Sequence, residues 1–328
     1  MKTETPRRGW PAFLRRALRL AAGLAGALTG YLLLARWFWP AEVLCHFRPF
    51  LALLWLGLAG VALLARARGA AAGFALAALA SAWPTLALLV PRERPEPTGT
   101  TLRVASANLL WGTDTVRDLL SWVDEVRPDL LFVSEIAVAD RAALGELRAR
   151  GFEHVLLCPP EAEWTDATWG RILLARRPLR RGATRWPGPI LDAWIELDGR
   201  AVRVLGAHPM RPGRAELTSR RNRVLAHLAA LAAEQPGAIV LGDLNLTECS
   251  PRYDDLLADG RLADTRAGRG RMGTWKLFNP HLDLEIPWIR LPLDHVLAGS
   301  GLVSTARSVG RDFGSDHAPV LADVGWRP

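Results

Sequence analysis

Cysteine is scarce: three residues in a chain of 328 are too few for a disulfide framework, and none has the Cys-x-x-Cys spacing of a zinc site. Cys45 falls beside apolar stretches, which leaves Cys158 and Cys249 as the only pair able to bridge; all three read as unpaired packing residues. No segment repeats, which excludes a solenoid or propeller. Acidic residues are also short, 33 against 41 Lys plus Arg, for a net charge of +8. Such an excess suits anionic partners such as phosphate esters, nucleic acid or lipid headgroups. Part of it is explained by position, because Lys2, Arg7, Arg8, Arg15, Arg16 and Arg19 precede the first long apolar run and Arg66 and Arg68 follow the second.

Long apolar runs are present, all before residue 91. A hydrocarbon core of about 30 Å asks for roughly 20 apolar residues per helix. Three segments come close, at about 18–39, 47–64 and 70–90, with Trp37, Trp39 and Trp83 near their ends. A basic N-terminus before an apolar stretch also fits a cleaved signal peptide, but two more apolar segments follow and favour membrane spans. Basic residues ahead of the first segment and between the second and third, against Arg36 and Arg48 in the first loop, place the N-terminus in the cytoplasm. Three crossings then put the remainder outside the cytoplasm, in a multi-pass protein of the cell membrane. Losing the second span would return it to the cytoplasm. Residues 91–100, PRERPEPTGT, hold three prolines and four charges and read as a linker after a membrane region of residues 1–90.

From residue 101 to 328 the pattern changes to short apolar runs of strand length. TLRVASAN reads as a strand ending at Asn108 and LLFVSE as one ending at Glu135, with a helix between them that Pro128 ends. GRILLAR, LDAWIEL, RAVRVLGAHP, GAIVLGDLN, PLDHVLA and DHAPVLADV follow as strands, and a second helix is predicted over about 212–234. This is a β-rich two-layer core with helices outside.

Acids, amides and imidazoles gather at the ends of these runs: Asn108, Glu135, His208, Asp243, Asn245, Asp294 and His317. Any one is explained as a turn or cap residue; seven at strand ends suggest a shared cleft on a rigid frame. Phosphoester hydrolysis needs oxygen ligands for a hard cation, an oriented water and stabilisation of developing charge. Glu135 and Asp316 offer carboxylates for Mg²⁺, and Asp243 can orient or deprotonate water. Asn245, two residues on, points to the same side if the segment is extended and can donate to phosphate. His208 and His317 titrate near neutrality, and Asp294 can fix the tautomer of one of them.

SANLLW, LLFVSE, GAHP, LGDLN, GTW, PLDHVL and GSDHAPV occur in the order and rough spacing of the endonuclease/exonuclease/phosphatase superfamily, which the chain resembles over about residues 101–323. The resemblance implies a four-layer αββα sandwich of the deoxyribonuclease-like kind, preceded here by an all-α transmembrane region. It implies a divalent-metal-dependent phosphoesterase using Mg²⁺, or Mn²⁺ in its place. Asn108, Glu135 and Asp316 match residues that hold or neighbour the metal. His208 matches a histidine set against the phosphate, Asp243 and Asn245 the Asp-x-Asn that positions water and phosphate, and Asp294 the acid that orients His317. One departure is Ala175, where the family often has a serine before the arginine of that strand.

The implied partners are a phosphoester substrate (nucleic acid, phospholipid or small phosphoester) and the lipid bilayer, with no protein partner predicted. His154, His227 and His281 fit no motif, and Arg211, Arg214, Arg220, Arg221 and Arg223 read as a solvated helical face. Trp164, Trp169, Trp275 and Trp288 fall near presumed cleft loops, where stacking on a base, contact with lipid or core packing are open to them. The rival reading is a non-catalytic membrane receptor for a phosphorylated ligand on the same fold, whose mark would be loss of Glu135, Asp243 or His317; all three are present.

Overall fold

The computed structural model describes residues 12–110, 115–137, 141–158, 170–183, 190–279 and 284–328. Trp111, Trp164, Trp169 and His281, singled out or quoted above, lie outside them. The chain divides into two compact units, Met1–Leu86 and Ala87–Pro328.

The first unit is helical: α1 (Ala12–Leu32), α2 (Trp39–Cys45), α3 (Arg48–Leu64) and α4 (Arg68–Ala87). Small residues line its interior, with Ala25, Ala59, Ala62, Ala70 and Ala71 buried around stacked Trp55 and Phe74. Large ones point outward: Leu20, Leu24, Leu53, Leu56, Leu64 and Leu76 are all at least 60% exposed. Close backbone approach through alanines, with leucines outside, is how helices pack where lipid rather than water is the solvent. Ala12–Arg36 and Arg68–Ala87 are long and apolar enough to cross a membrane. α2 and α3 qualify only as a pair, bent by 69° at their break, where Pro49 opens α3. The described residues thus offer two spans, or three if the bent pair is one.

The second unit is a layered α/β sandwich. β1 (Thr98–Asn108) runs into α5 (Val116–Val126) and β2 (Leu130–Ile136), then come α6 (Arg141–Ala149), β3 (His154–Cys158) and β4 (Gly170–Ala175). β5 (Arg180–Arg181), β6 (Ile190–Leu197) and β7 (Arg200–Ala207) lead to α7 (Ala215–Ala233), β8 (Ala238–Asp243), α8 (Pro251–Asp259) and β9 (Leu262–Asp264). A hairpin of β10 (Trp275–Asn279) and β11 (Leu284–Leu291) precedes β12 (Asp294–Gly299), β13 (Leu302–Val309) and β14 (Val320–Trp326). Two six-stranded sheets result, ordered β13-β14-β1-β2-β4-β3 and β5-β6-β7-β8-β12-β9.

Period-two alternation builds four layers from this order. Leu102, Val104, Leu130 and Phe132 of one sheet meet Val202, Val204, Ile239, Leu241 and Val296 of the other. The opposite face of the first sheet, including Ala105, Leu131 and Val133, packs under α5 and α6 through Trp122, Val123, Leu144 and Leu147. Leu205, Val240 and Leu297 pack under α7 and α8 through Leu225, Leu228, Tyr253 and Leu256. The αββα sandwich expected from the sequence is therefore the observed fold. Helices α6 and α8 were not anticipated, since nine residues each give little periodicity to read. The helix before Pro128 ends as expected: Arg127, barred from the right-handed helical region by the following proline, turns left-handed at φ 46°. No disulfide links Cys45, Cys158 or Cys249.

Candidate active site

The alternation that fills the core also aims the site. β1 sends Leu102 and Val104 between the sheets, and Asn108 lies in the same register; β8 does so with Ile239, Leu241 and then Asp243. On β12 the residues in phase with Val296 and Ala298 include Asp294, which pairs directly across from Asp243. β1 and β2 are parallel, as are β7 and β8, while β12 and β14 are antiparallel to their neighbours. The C-terminal ends of four strands and the N-terminal ends of two therefore share one edge of the sandwich. Gly242 makes the approach possible: its φ of +134° suits glycine, and a Cβ there would collide with Ala207 O and with Phe132 of the facing sheet.

Three non-glycine residues at this edge take left-handed backbone: Leu110 (φ 55°), Glu135 (57°) and Asn245 (50°). Such geometry is held only where the surroundings demand it. At Glu135 it coincides with a register shift between Ser134 and Ile136, a bulge that re-aims one side chain.

The polar groups converge on Asp243, whose side chain is buried. Its Oδ2 lies 3.1 Å from Asn108 Nδ2, 3.5 Å from His208 Nε2 and 3.7 Å from His317 Nε2. Asn108 Nδ2 also donates to Glu135 Oε1 at 2.9 Å, and His208 Nε2 is 3.5 Å from the same oxygen. One ligand atom each from Glu135, His208 and Asp243 falls within 4.8 Å of the others, an arrangement that can hold a metal ion. Asn108 contributes as the neighbour that ties the two carboxylates together, since its Oδ1 accepts the Leu110 N–H at 3.0 Å.

His317 Nδ1 lies 2.7 Å from Asp294 Oδ2, so Nε2 is the nitrogen turned to the cleft. Burial opposes the imidazolium, but the charges of Asp294 and Asp243 outweigh it and raise the pKa to about 10. For Asp243 burial is likewise overcome, here by His317 and His208, and its pKa falls below the ordinary carboxylate value. Asp316 goes the other way: burial raises its pKa, and the nearby Glu135 and Asp243 carboxylates add to the rise despite His317 and a Trp275 hydrogen bond. Its Oδ1 is buried with no hydrogen-bond partner. Carboxylates crowded to this degree are what a cation relieves.

Two expectations are corrected. Asn245 is not on an extended segment: its left-handed turn brings its own N–H to Asp243 Oδ1 at 2.9 Å and commits an amide hydrogen to Pro209 O at 3.1 Å. Arg221 does not belong to a solvated face. It is fully buried and donates from Nη1 to Asn245 O at 3.0 Å, so it braces the turn that carries Asp243 and, through Pro209, the residue after His208. Arg221→Met is expected to lower kcat roughly tenfold or more with little change in KM, a charged hydrogen bond being worth about 1.5–3 kcal/mol; steady-state kinetics on the full chain check it.

The sequence reading also missed three supports. Trp275 Nε1 donates to Asp316 Oδ2 at 2.8 Å, so this tryptophan orients a carboxylate. Ser315 Oγ donates to Asn108 O at 2.8 Å and accepts from His317 N, stitching β1 to the segment before β14. His295, next to Asp294 but on the other face of β12, is buried against Leu246 O at 2.8 Å. Burial and the Arg266 charge lower its pKa to about 4, so it stays neutral. Adjacency in GTW, GSDH and PLDH was the available signal. Trp288, by contrast, is 78% exposed. His154 is half-buried on β3, and His227 lies on α7.

A sequence model of the Endonuclease/Exonuclease/phosphatase family matches residues 105–317, from β1 to the cleft histidine. The chain belongs to that family. As a member it is a hydrolase of phosphoester bonds, which removes the non-catalytic receptor reading. Among solved structures the fold is similar to an endonuclease/exonuclease/phosphatase from Beutenbergia cavernae, at 20% identity and TM-score 0.53 over 69% of this chain and 72% of that one. An AP endonuclease from Archaeoglobus fulgidus has 15% identity and TM-score 0.54 over 67% and 98%. A 3′ phosphatase from Neisseria bound to a product DNA hairpin has 15% identity and TM-score 0.53 over 69% and 100%. At such identities the likeness is one of fold. No curated protein matches the chain.

Proposed function

We propose that this family member is a membrane-anchored, divalent-metal-dependent phosphoesterase, a phosphodiesterase or nuclease-like hydrolase, in which water attacks a phosphoester. The observation that carries the reading is the convergence of Asn108, His208 and His317 on one buried carboxylate oxygen of Asp243, beside Glu135. The donor set suits a hard cation: carboxylates predominate, and Asp316 Oδ1 is an orphan acceptor. Glu135 and Asp316 would hold Mg²⁺, or Mn²⁺, with Asn108 adjacent. A metal held there would supply neutralisation of the phosphoryl and leaving oxygens.

The chain's own groups divide the remaining work. Asp243, anionic and pinned by the Asn245 N–H, orients the attacking water and accepts its proton. His317, oriented through Nδ1 by Asp294, presents an Nε2–H to a phosphoryl oxygen, where charge grows as the water adds. His208 faces the same space from the end of β7. Asn245 holds the turn and has a second amide hydrogen for phosphate.

The apolar exterior of the helical unit supports anchoring in a bilayer. With the bent pair counted as one span, the basic N-terminus puts the N-terminal end in the cytoplasm and the catalytic unit outside it. The substrate class is a phosphoester of nucleic acid, phospholipid or a small molecule. The test is hydrolysis of such a panel by the full chain in detergent. Activity that chelation lowers by about 10²-fold or more and that Mg²⁺ or Mn²⁺ restores is expected; turnover indifferent to chelator would overturn the metal assignment.

A further inference from the structure

Away from the acidic cleft, the catalytic unit carries a concentration of positive charge. A cavity of about 120 Å³ is lined by Arg92 and Arg94 from the segment after α4, by Arg269 beyond β9 and by Arg327 at the C-terminus, with Thr265 and Ser304 between them. Four guanidinium groups elsewhere in this unit meet carboxylates, Arg103 with Asp323, Arg203 with Asp192, Arg266 with Asp264 and Arg290 with Asp312, while Arg176, Arg221 and Arg307 stand apart from one another and donate to carbonyl oxygens. None of the four cavity arginines makes an ion pair among the described residues. Arg269 donates only to carbonyls, Thr265 O at 2.7 Å, Thr305 O at 2.6 Å and Ser304 O at 3.4 Å, and Arg94 donates to Ala267 O. Burial, and then the charge of Arg94, depress the Arg269 pKa, so the two cations repel without a counter-charge. Two acids share the lining: Asp264 is already bound to Arg266 and Tyr253, and Glu93 is exposed.

The cavity also has a definite place along the chain. Gly268 N donates to Leu88 O at 2.8 Å, and Leu88 is the residue after the last one of α4. Gly268 has φ +71°, and a Cβ there would press on Arg94 Nη2 at 3.1 Å and on Arg92 N and Val90 O at 3.2 Å. Glycine thus lets the basic segment lie along residues 267–270. Arg92 follows Ala87 by five residues, at most about 18 Å of extended chain. If α4 spans a bilayer, the headgroup layer, which adds about 5–8 Å per side to the hydrocarbon core, falls within that reach.

We propose that this cavity binds the phosphate of an anionic phospholipid headgroup, docking the catalytic unit on the bilayer to which it is tethered. The guanidinium fork matches phosphate oxygens in pairs, and a headgroup supplies the anion that the four arginines lack. The proposal rests on the membrane-anchored reading above.

The experiment uses the full chain in nonionic detergent, titrated with dioctanoyl phosphatidylglycerol, dioctanoyl phosphatidylcholine or inorganic phosphate, with bound ligand followed by native mass spectrometry. Phosphatidylglycerol is expected to bind at least about tenfold more tightly than phosphatidylcholine. Arg92→Gln with Arg94→Gln, both at exposed positions, is expected to erase that preference and leave turnover of a soluble phosphoester unchanged. Equal retention of phosphatidylglycerol by the wild type and the double variant would overturn the proposal. So would inorganic phosphate binding as tightly as the lipid, which would make this a site for free phosphate. Alkaline extraction of membranes tests the anchoring separately: a chain that washes off refutes anchoring, whereas one that stays embedded but shows no lipid preference refutes the headgroup site alone.

Discussion

Replacing Asp243 by Asn is expected to lower kcat for phosphoester hydrolysis by about 10³-fold, the middle of the range for losing a general base. The substitution keeps the shape but removes the charge on which Asn108, His208 and His317 converge. An amide nitrogen in place of Oδ2 would set a donor against Asn108 Nδ2 and remove the charge that faces the two imidazoles, and the Asn245 N–H would keep only a neutral oxygen. The backbone pairing of Asp243 with Asp294 does not depend on the side chain. The check is kcat on the full chain with saturating Mg²⁺, alongside its thermal midpoint. Undiminished turnover in a folded Asp243→Asn protein would remove this carboxylate from the chemistry.

The second large effect is expected at Asp294. Asp294→Asn should cost about 10²–10⁴-fold in kcat and move the alkaline limb of the pH–rate profile to lower pH. The sign follows from His317. Burial disfavours its cation, and Asp294 and Asp243 raise its pKa to about 10, so the protonated imidazole is present below that value and lost above it. Without the Asp294 charge that loss comes earlier on the pH scale. An amide can also donate to Nδ1 rather than accept from it, which would strip Nδ1 of its proton and hold the ring as the neutral tautomer, whose uncharged Nε2–H is a weaker donor to phosphate than the imidazolium. A profile whose alkaline limb stays in place would show that His317 does not act as the proton-bearing group. A loss confined to KM would place Asp294 in binding alone.

Most strands of the catalytic unit were legible because alternation is local: LRVAS, IVLGD and VLADV state their inner and outer faces within a few residues. The same alternation marked Asn108 and Asp243 as residues that follow core positions on the inward face, and Asp294 as one that precedes them. Arg221 and Asn245 were misjudged for the opposite reason. A charged residue in an arginine-rich helix looks solvated until the loop that covers it is known, and a left-handed turn after a strand looks extended until its hydrogen bonds are seen. Helices α6 and α8 span barely two and a half turns each and owe their helicity to the sheets they cover.

The helical half was legible for another reason. Long, largely apolar runs are a property of composition, and the exposed leucines of α1 and α4 need no partner in the chain to be recognised. The bend between α2 and α3 depends on how Pro40 and Pro49 open successive helices, and only the three-dimensional chain displays its 69° angle.

By itself the sequence determined the inventory: which segments are strands, which polar residues stand at their ends, and which chemistry those residue types allow. Tertiary structure decided the assignments among them. Asp294 and not another acid meets His317, Asn108 ties Glu135 to Asp243, Trp275 orients Asp316, and Arg221 braces Asn245. The physical reason is range. Alternation and turn propensity act over a few residues, whereas these contacts join positions 23 to 135 residues apart and exist only once two sheets have packed and their ends have come together on one edge.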